Sequence, residues 1–310
     1  MPAWLTLHPP EGVAFARVVG DDEAMVIGRA PDCGIVLAHD SVSRHHARLA
    51  RDASGAWVIE DLGSKNGLRI DGLATARAVL GESRWFAVGD VFAEFRALDA
   101  AAAARIEQRA QTRRSSSREW SAHLAAQRDP QRMLSGLIAG IVDLAECRRG
   151  FLLVASREHG PRVRACYAMD PSELASQQFS GSRSAVDRTL TERRPLYISD
   201  RRDHAWLRNK PSVVARGIRA LVCLPLMHDG RLLGVAYADT DDEAKTFTAL
   251  DAQLLEAFAD RAAAMLVADE IGAALAAVEE WVAVEDARGE RPRTRGPAPA
   301  WDRVTQAGLG

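Results

Sequence analysis

The chain has 310 residues, with 40 Lys and Arg against 42 Asp and Glu and a formal net charge of -2, enough length for two ordinary domains. A balance this close to neutral gives no global drive toward nucleic acid or an anionic membrane, and the four cysteines, which lack paired spacing, argue for a reducing compartment rather than a disulfide framework. No apolar run has the length of a membrane span and the amino terminus lacks the basic-then-apolar layout of a signal peptide, so the sequence predicts a cytoplasmic protein without a membrane partner.

In chain order, the first elements are short. Ala24-Met25-Val26-Ile27, Ile35-Val36-Leu37, Ala47-Arg48-Leu49 and Trp57-Val58-Ile59 are apolar or alternating runs separated by Pro-Asp, Ser-Gly and Asp-Gly signals. That rhythm predicts an all-β sandwich. Trp85–Val88 and Val91–Phe95 flank Gly89-Asp90 and predict a closing hairpin, with Trp57, Phe86 and Phe92 as sandwich core.

Between these strands lie three small polar and basic blocks: Gly28-Arg29, Ser43-Arg44-His45-His46, and Asp61-Leu62-Gly63-Ser64-Lys65-Asn66-Gly67. Arg29 and Arg44 carry forked N–H donors, Ser43 a hydroxyl, and Asn66 an amide that both donates and accepts. A dianionic phosphate on a peptide calls for such a set. No acid, base or nucleophile is poised among them, so the blocks read as a recognition surface rather than a catalytic one. His39, His45 and His46 invite a metal reading, but no Cys or second cluster has matching spacing, and no metal site is expected.

The coincidence of the three blocks over residues 4–98 resembles a forkhead-associated (FHA) domain, the phosphothreonine-recognition sandwich. The resemblance implies that Arg29 and Ser43 contact the phosphate and that Arg44 lies on the rim beside the peptide. Lys65 and Asn66 follow in the next loop, with Asn66 gripping the ligand's main chain. Gly28, His46 and Gly67 are structural, His46 tying the binding loops together. Two positions depart from the family pattern. Leu68 stands where a threonine usually follows Asn-Gly, and Asp71-Gly72 replaces Asn-Gly in a hairpin turn that it serves equally well.

Residues 99–117 change texture. The alanine run at 100–104 favours helix, while the arginines and Ser115-Ser116-Ser117 suggest a helical then flexible linker. No aromatic residues interleave with those arginines, so direct nucleic-acid binding is not expected. From Arg118, apolar residues Trp120, Leu124, Met133, Leu134, Leu137, Ile138, Ile141 and Leu144 recur at helical spacing, with a break at Asp129-Pro130. Strand-like segments follow at 150–155 and 163–168, then an amphipathic helix at 184–194 and a short strand at 195–198. Residues 199–217 are polar and turn-rich, as a lid would be, and include His204, Trp206 and Arg216. Ala220–Leu226 and Leu232–Tyr237 flank Asp229-Gly230 as a hairpin, and a last helix opens near Thr248.

This order predicts an α+β fold with a central antiparallel sheet. Residues 118–268 resemble a GAF domain, carried by Gly217–Leu226, Gly230–Asp239 and Phe247–Leu255. The resemblance implies a scaffold for small-ligand sensing or dimerisation without naming a ligand. Cys166 and Cys223 fall in strand patterns and read as small core residues. Asp239, Asp241, Asp242 and Glu243 could hold a cation but read first as a solvated acidic loop. Ile271, Leu275, Val278 and Val282 continue a helical stripe over 269–288 that could pair with a second copy, and residues 289–310 are rich in Arg, Pro and Gly and expected to be disordered.

FHA–GAF pairs resemble the sensory front of bacterial enhancer-binding activators. The phosphate-binding Gly-rich loop of their ATPase module is not found in this sequence, and no helix-turn-helix candidate follows residue 270. The expectation is therefore a non-enzymatic signalling adaptor that docks a phosphothreonine-bearing partner, a Ser/Thr kinase or its substrate, and that forms a homodimer. Two rivals stand beside it: a ligand-free oligomerisation scaffold, and a thiol enzyme built in the GAF cavity.

Overall fold

The computed structural model describes residues 1–10, 12–154, 162–170, 180–200 and 217–288, of which 180–182 and 269–288 are described by their backbone. Two sheets build the first part. One has the order β2-β1-β11-β10-β7-β8, from strands Phe15–Val19, Ala3–His8, Val91–Ala97, Ser83–Val88, Leu68–Ile70 and Leu73–Ala74. The other has the order β4-β3-β5-β6-β9, from Ile35–Val36, Met25–Gly28, Ala47–Arg51, Trp57–Asp61 and Arg77–Val79. Leu5, Leu7, Ile27, Ile35, Leu49, Ile59, Leu68 and Phe95 fill one shared core, since alternate residues of each strand face inward.

Register explains two details. Val91, Ala93 and Phe95 are buried, so the pleat turns Phe92 outward, where it is 59% exposed. The expectation that Phe92 is core is thereby corrected, while Trp57 and Phe86 are buried. Leu68, the departure from the threonine pattern, is buried in that core. Asp71 and Gly72 both take positive φ, 52° and 83°, the backbone of a tight primed hairpin turn.

Asp99 caps helix α1, Ala100–Ala126, by accepting from the Ala102 N–H. The helix runs unbroken through Ser115, Ser116 and Ser117, so that stretch is not the flexible linker expected. Its Ala, Arg, Gln and Glu content outweighs three serines. Asp129 then caps α2, Pro130–Leu144, through the N–H groups of Gln131 and Arg132. Beyond it lies a five-stranded sheet of order β13-β12-β16-β15-β14, from Arg162–Tyr167, Arg149–Val154, Arg231–Thr240, Ala220–His228 and Leu196–Ile198. Phe151 stacks on Tyr237 at 4.9 Å between ring centres, in a core with Ile198, Leu221, Cys223 and Val235. Of the stretch 199–217 expected as a lid, residues 201–216, with His204, Trp206 and Arg216, lie, like the tail 289–310, outside the described residues. The last helix spans Ala249–Arg288 without a break.

Residues Met1–Met265 form one unit, and its two parts touch. Ala14, in the β1–β2 connection, donates to the Phe247 carbonyl at 2.9 Å and accepts from the Ala249 N–H at 2.8 Å, making a parallel bridge to Thr248. Beside it is a cluster of charges centred on the buried Asp251 and Lys245. Asp251 Oδ1 accepts from Lys245 Nζ at 3.0 Å and from Arg113 Nη2 at 2.8 Å, while its Oδ2 accepts from the Thr248 N–H and hydroxyl. Lys245 also reaches Glu146 at 3.1 Å, and Arg109 of α1 pairs with the same carboxylate. Burial would raise the Asp251 carboxyl, but Lys245 and Arg113 outweigh it and hold the group below its ordinary range. The acidic stretch 239–243 is likewise not a free solvated loop. Asp239 is buried on Arg149, Asp241 pairs with Arg148 and Glu243 with Arg219.

Candidate functional site

At one end of the sandwich, the loop after β3, the segment before β5 and the loop after β6 surround a cleft of about 580 Å³. Arg29, Ser43, Arg44, Lys65 and Asn66 all line it, with Ser41, His45, Leu62, Gly63 and Asp40. Five side chains chosen from three separated blocks thus share one surface.

Backbone pairing holds these loops. The N–H of Arg29 donates to the Ser43 carbonyl at 2.9 Å, that of Ala30 to the Arg44 carbonyl at 3.0 Å, and that of Leu37 to the Gly28 carbonyl at 2.8 Å. Gly28 sits where a Cβ would overlap the Arg44 carbonyl oxygen, so only glycine allows this close crossing. Gly67 has φ of 74°, the left-handed conformation that turns the chain from Asn66 into β7.

His46 is fully buried. Its Nδ1 accepts from the Ser43 N–H at 3.0 Å, and its Nε2 lies 3.0 Å from the Gly67 carbonyl. A backbone N–H can only donate and a carbonyl only accept, so this pair of contacts requires the neutral Nε2–H tautomer. One ring therefore ties the segment carrying Ser43 to the loop carrying Asn66.

The polar groups are also set in direction. Ser43 Oγ accepts from the Lys65 N–H at 3.0 Å, which leaves its own hydrogen to donate to a ligand. Asn66 Nδ2 donates to the Ser41 carbonyl at 2.8 Å, fixing the amide with its oxygen left to accept. Arg29, Arg44 and Lys65 are exposed, and among the described residues none of the three has an ion pair. Three uncompensated cations, one hydroxyl donor and one oriented amide form a set of groups chemically suited to an anionic side chain and the main chain that carries it.

Sequence reasoning missed other members of the site. Asp40 adds a carboxylate from a segment without a distinctive pattern, and Leu62 adds an apolar edge from within the third block, where the polar residues beside it drew the reading. Asp32 reaches His45 Nε2 at 3.0 Å, and that hydrogen bond chiefly holds its carboxyl below the usual range. Cys33 is buried and donates through Sγ to the Arg44 carbonyl at 3.1 Å. Chain spacing hid these partners because the β3–β4 loop folds back onto the segment before β5.

In the second part no thiol is disposed toward nucleophilic use. Burial pushes the Cys147 thiol up to about 12 and raises those of Cys166 and Cys223 as well, whereas reactivity needs the thiolate.

Residues 25–92 match the family model "FHA domain" and residues 129–266 the model "GAF domain". The FHA domain-containing protein FhaB of Mycobacterium tuberculosis is 42% identical over 64 residues, which are 21% of this chain and 41% of FhaB, so the match spans less than half of that relative. Two solved structures are also similar to parts of the chain. The FHA domain of CT664 from Chlamydia trachomatis is 24% identical over 32% of this chain and 100% of its own, with a TM-score of 0.30. The GAF domain of a phosphoenolpyruvate-protein phosphotransferase from Coxiella burnetii is 14% identical over 53% of this chain and 98% of its own, with a TM-score of 0.45. The chain therefore carries an FHA domain followed by a GAF domain.

Proposed function

We propose that this protein is a phosphothreonine-dependent signalling adaptor. Residues 4–98 dock a phosphorylated partner, a Ser/Thr kinase or its substrate, and residues 118–268 sense a small ligand or join two copies of the chain. One observation carries the docking role: Arg29, Ser43, Arg44, Lys65 and Asn66 line a single cleft whose cations have no carboxylate partner among the described residues. A phosphorylated side chain brings about −1.5 to −2 charges. Arg29 and Ser43 take the phosphate oxygens, Arg44 and Lys65 add charge at the rim, and Asn66 holds the peptide backbone.

The non-enzymatic reading is supported by the raised thiols of the second part, and a cytoplasmic setting by the free cysteines. Among the described residues, no helix is long and apolar enough to cross a membrane.

Fluorescence anisotropy of the full chain against matched phosphothreonine, phosphoserine and unphosphorylated peptide libraries tests this function. Selective phosphothreonine binding that disappears in Arg29→Ala is the expected result. Equal affinity in the variant removes the site assignment, and a dimer by light scattering without peptide binding favours a scaffold instead.

A further inference from the structure

Three chemically different ligating groups meet where the β3–β4 loop crosses the segment that carries Ser43 and Arg44. Asp32, Cys33 and His45 each offer one ligand atom, and these atoms all lie within 4.8 Å of one another. His45 Nε2 is 3.0 Å from Asp32 Oδ2. Asp32 and His45 are exposed while Cys33 is buried, so the set is anchored in the fold on one side and open to solvent on the other.

We infer that Asp32, Cys33 and His45 form a binding site for a thiophilic divalent cation of the zinc class at the edge of the phosphopeptide cleft. Thiolate, imidazole and carboxylate are the donors zinc takes, whereas a sulfur and a nitrogen among three ligands disfavour calcium and magnesium. Tetrahedral bonds of about 2.0–2.3 Å place ligand atoms about 3.4–3.6 Å apart, against atoms here within 4.8 Å of one another and one pair at 3.0 Å. The fourth position faces solvent and is filled by water.

Loading the site is chemically balanced. The cation takes the Nε2 position that faces Asp32, and the neutral ring carries its proton on Nδ1. Cys33 loses its thiol proton to solvent as the sulfur–metal bond forms. The Arg44 carbonyl gives up the thiol donor but keeps the Ala30 N–H at 3.0 Å, so no backbone acceptor is orphaned.

The consequence for the cleft rests on the phosphopeptide reading. His45 lines the same cleft as Arg44, so a bound cation clamps the β3–β4 loop to the phosphate-facing segment and adds positive charge beside it. Occupancy therefore tightens phosphopeptide binding.

Titration of the full chain with Co²⁺ as a spectroscopic substitute for Zn²⁺ tests the site without any peptide. A thiolate-to-cobalt charge-transfer band is expected in the parent protein, absent in Cys33→Ala, with affinity lowered roughly tenfold or more in His45→Gln. If Cys33→Ala loses its native circular dichroism, His45→Gln, altered at an exposed side chain, decides the matter. No band, or a band that survives both substitutions, overturns the site. Anisotropy with a phosphothreonine peptide, with and without Zn²⁺, then tests the coupling. Unchanged affinity in a protein that shows the band overturns the coupling alone, and no peptide binding in either condition overturns the phosphopeptide reading instead.

Discussion

The cleft of the FHA domain and the charge cluster beside Ala14 use the same residue types in opposite ways. Lys245 is buried and Arg113 half-buried, and each shares the buried Asp251 carboxylate. Arg29, Arg44 and Lys65 are exposed, and among the described residues none is paired with an acid. A buried cation without a partner is strongly destabilising, so evolution of a structural cluster must complete it. An exposed cation keeps its hydration, and leaving it uncompensated stores affinity for an anion that arrives later. Completed charge marks the joint of this molecule, and incomplete charge marks the cleft proposed to bind a phosphopeptide.

The sharpest way to break that contrast is Asp251→Ala. It removes the carboxylate that Lys245 and Arg113 share, leaving Lys245 with Glu146 alone, and is expected to destabilise the fold by about 3 kcal/mol, read as a lowered urea midpoint. Phosphopeptide affinity of the remaining folded protein should not change. If stability is unaffected, the cluster is not a structural joint. The same carboxylate predicts an acid limit. Its folded-state pKa lies below the ordinary 3.8, so its contribution is complete above that value and is lost as pH falls through the folded value. Acid titration should show the parent losing more stability below about pH 4 than Asp251→Asn does.

Arg29→Ala should lower phosphothreonine-peptide affinity on the order of a hundredfold, since a charge-assisted pair lost from a desolvated contact is worth about 3 kcal/mol. The melting temperature should stay near the parent value because the side chain is exposed. Asn66→Ala removes a main-chain grip and the tie to Ser41, and about a tenfold loss is expected. Lys65→Ala belongs at the bottom of the series. Its rim charge is screened, so a loss of a few-fold at low ionic strength should vanish in high salt. A Lys65 effect larger than that of Arg29 would reverse the roles drawn here.

Much of the cleft lining was legible because it is written in short blocks. Gly28-Arg29, Ser43-Arg44 and Lys65-Asn66-Gly67 name their own chemistry, and His46 stands out as a histidine between two recognisable neighbours. The hairpin at Asp229-Gly230 was equally plain, and Asp229 and Gly230 do take positive φ. Phe92 was misread because β11 is aromatic on both faces, and only the pairing partner says which face is inward. Ser115-Ser116-Ser117 was misread because weak helix formers within a long run of strong ones do not end a helix.

The sequence by itself determined the two folds, their order and the polar residue types that line the cleft, because strand rhythm, turn chemistry and helix caps are local properties. Tertiary structure alone decided which groups share a space. It set Lys245, Asp251, Glu146, Arg109 and Arg113 around one joint, and it brought Asp32 and Cys33 to His45 at the cleft. Such contacts depend on how loops and helices cross, and no spacing along the chain encodes a crossing.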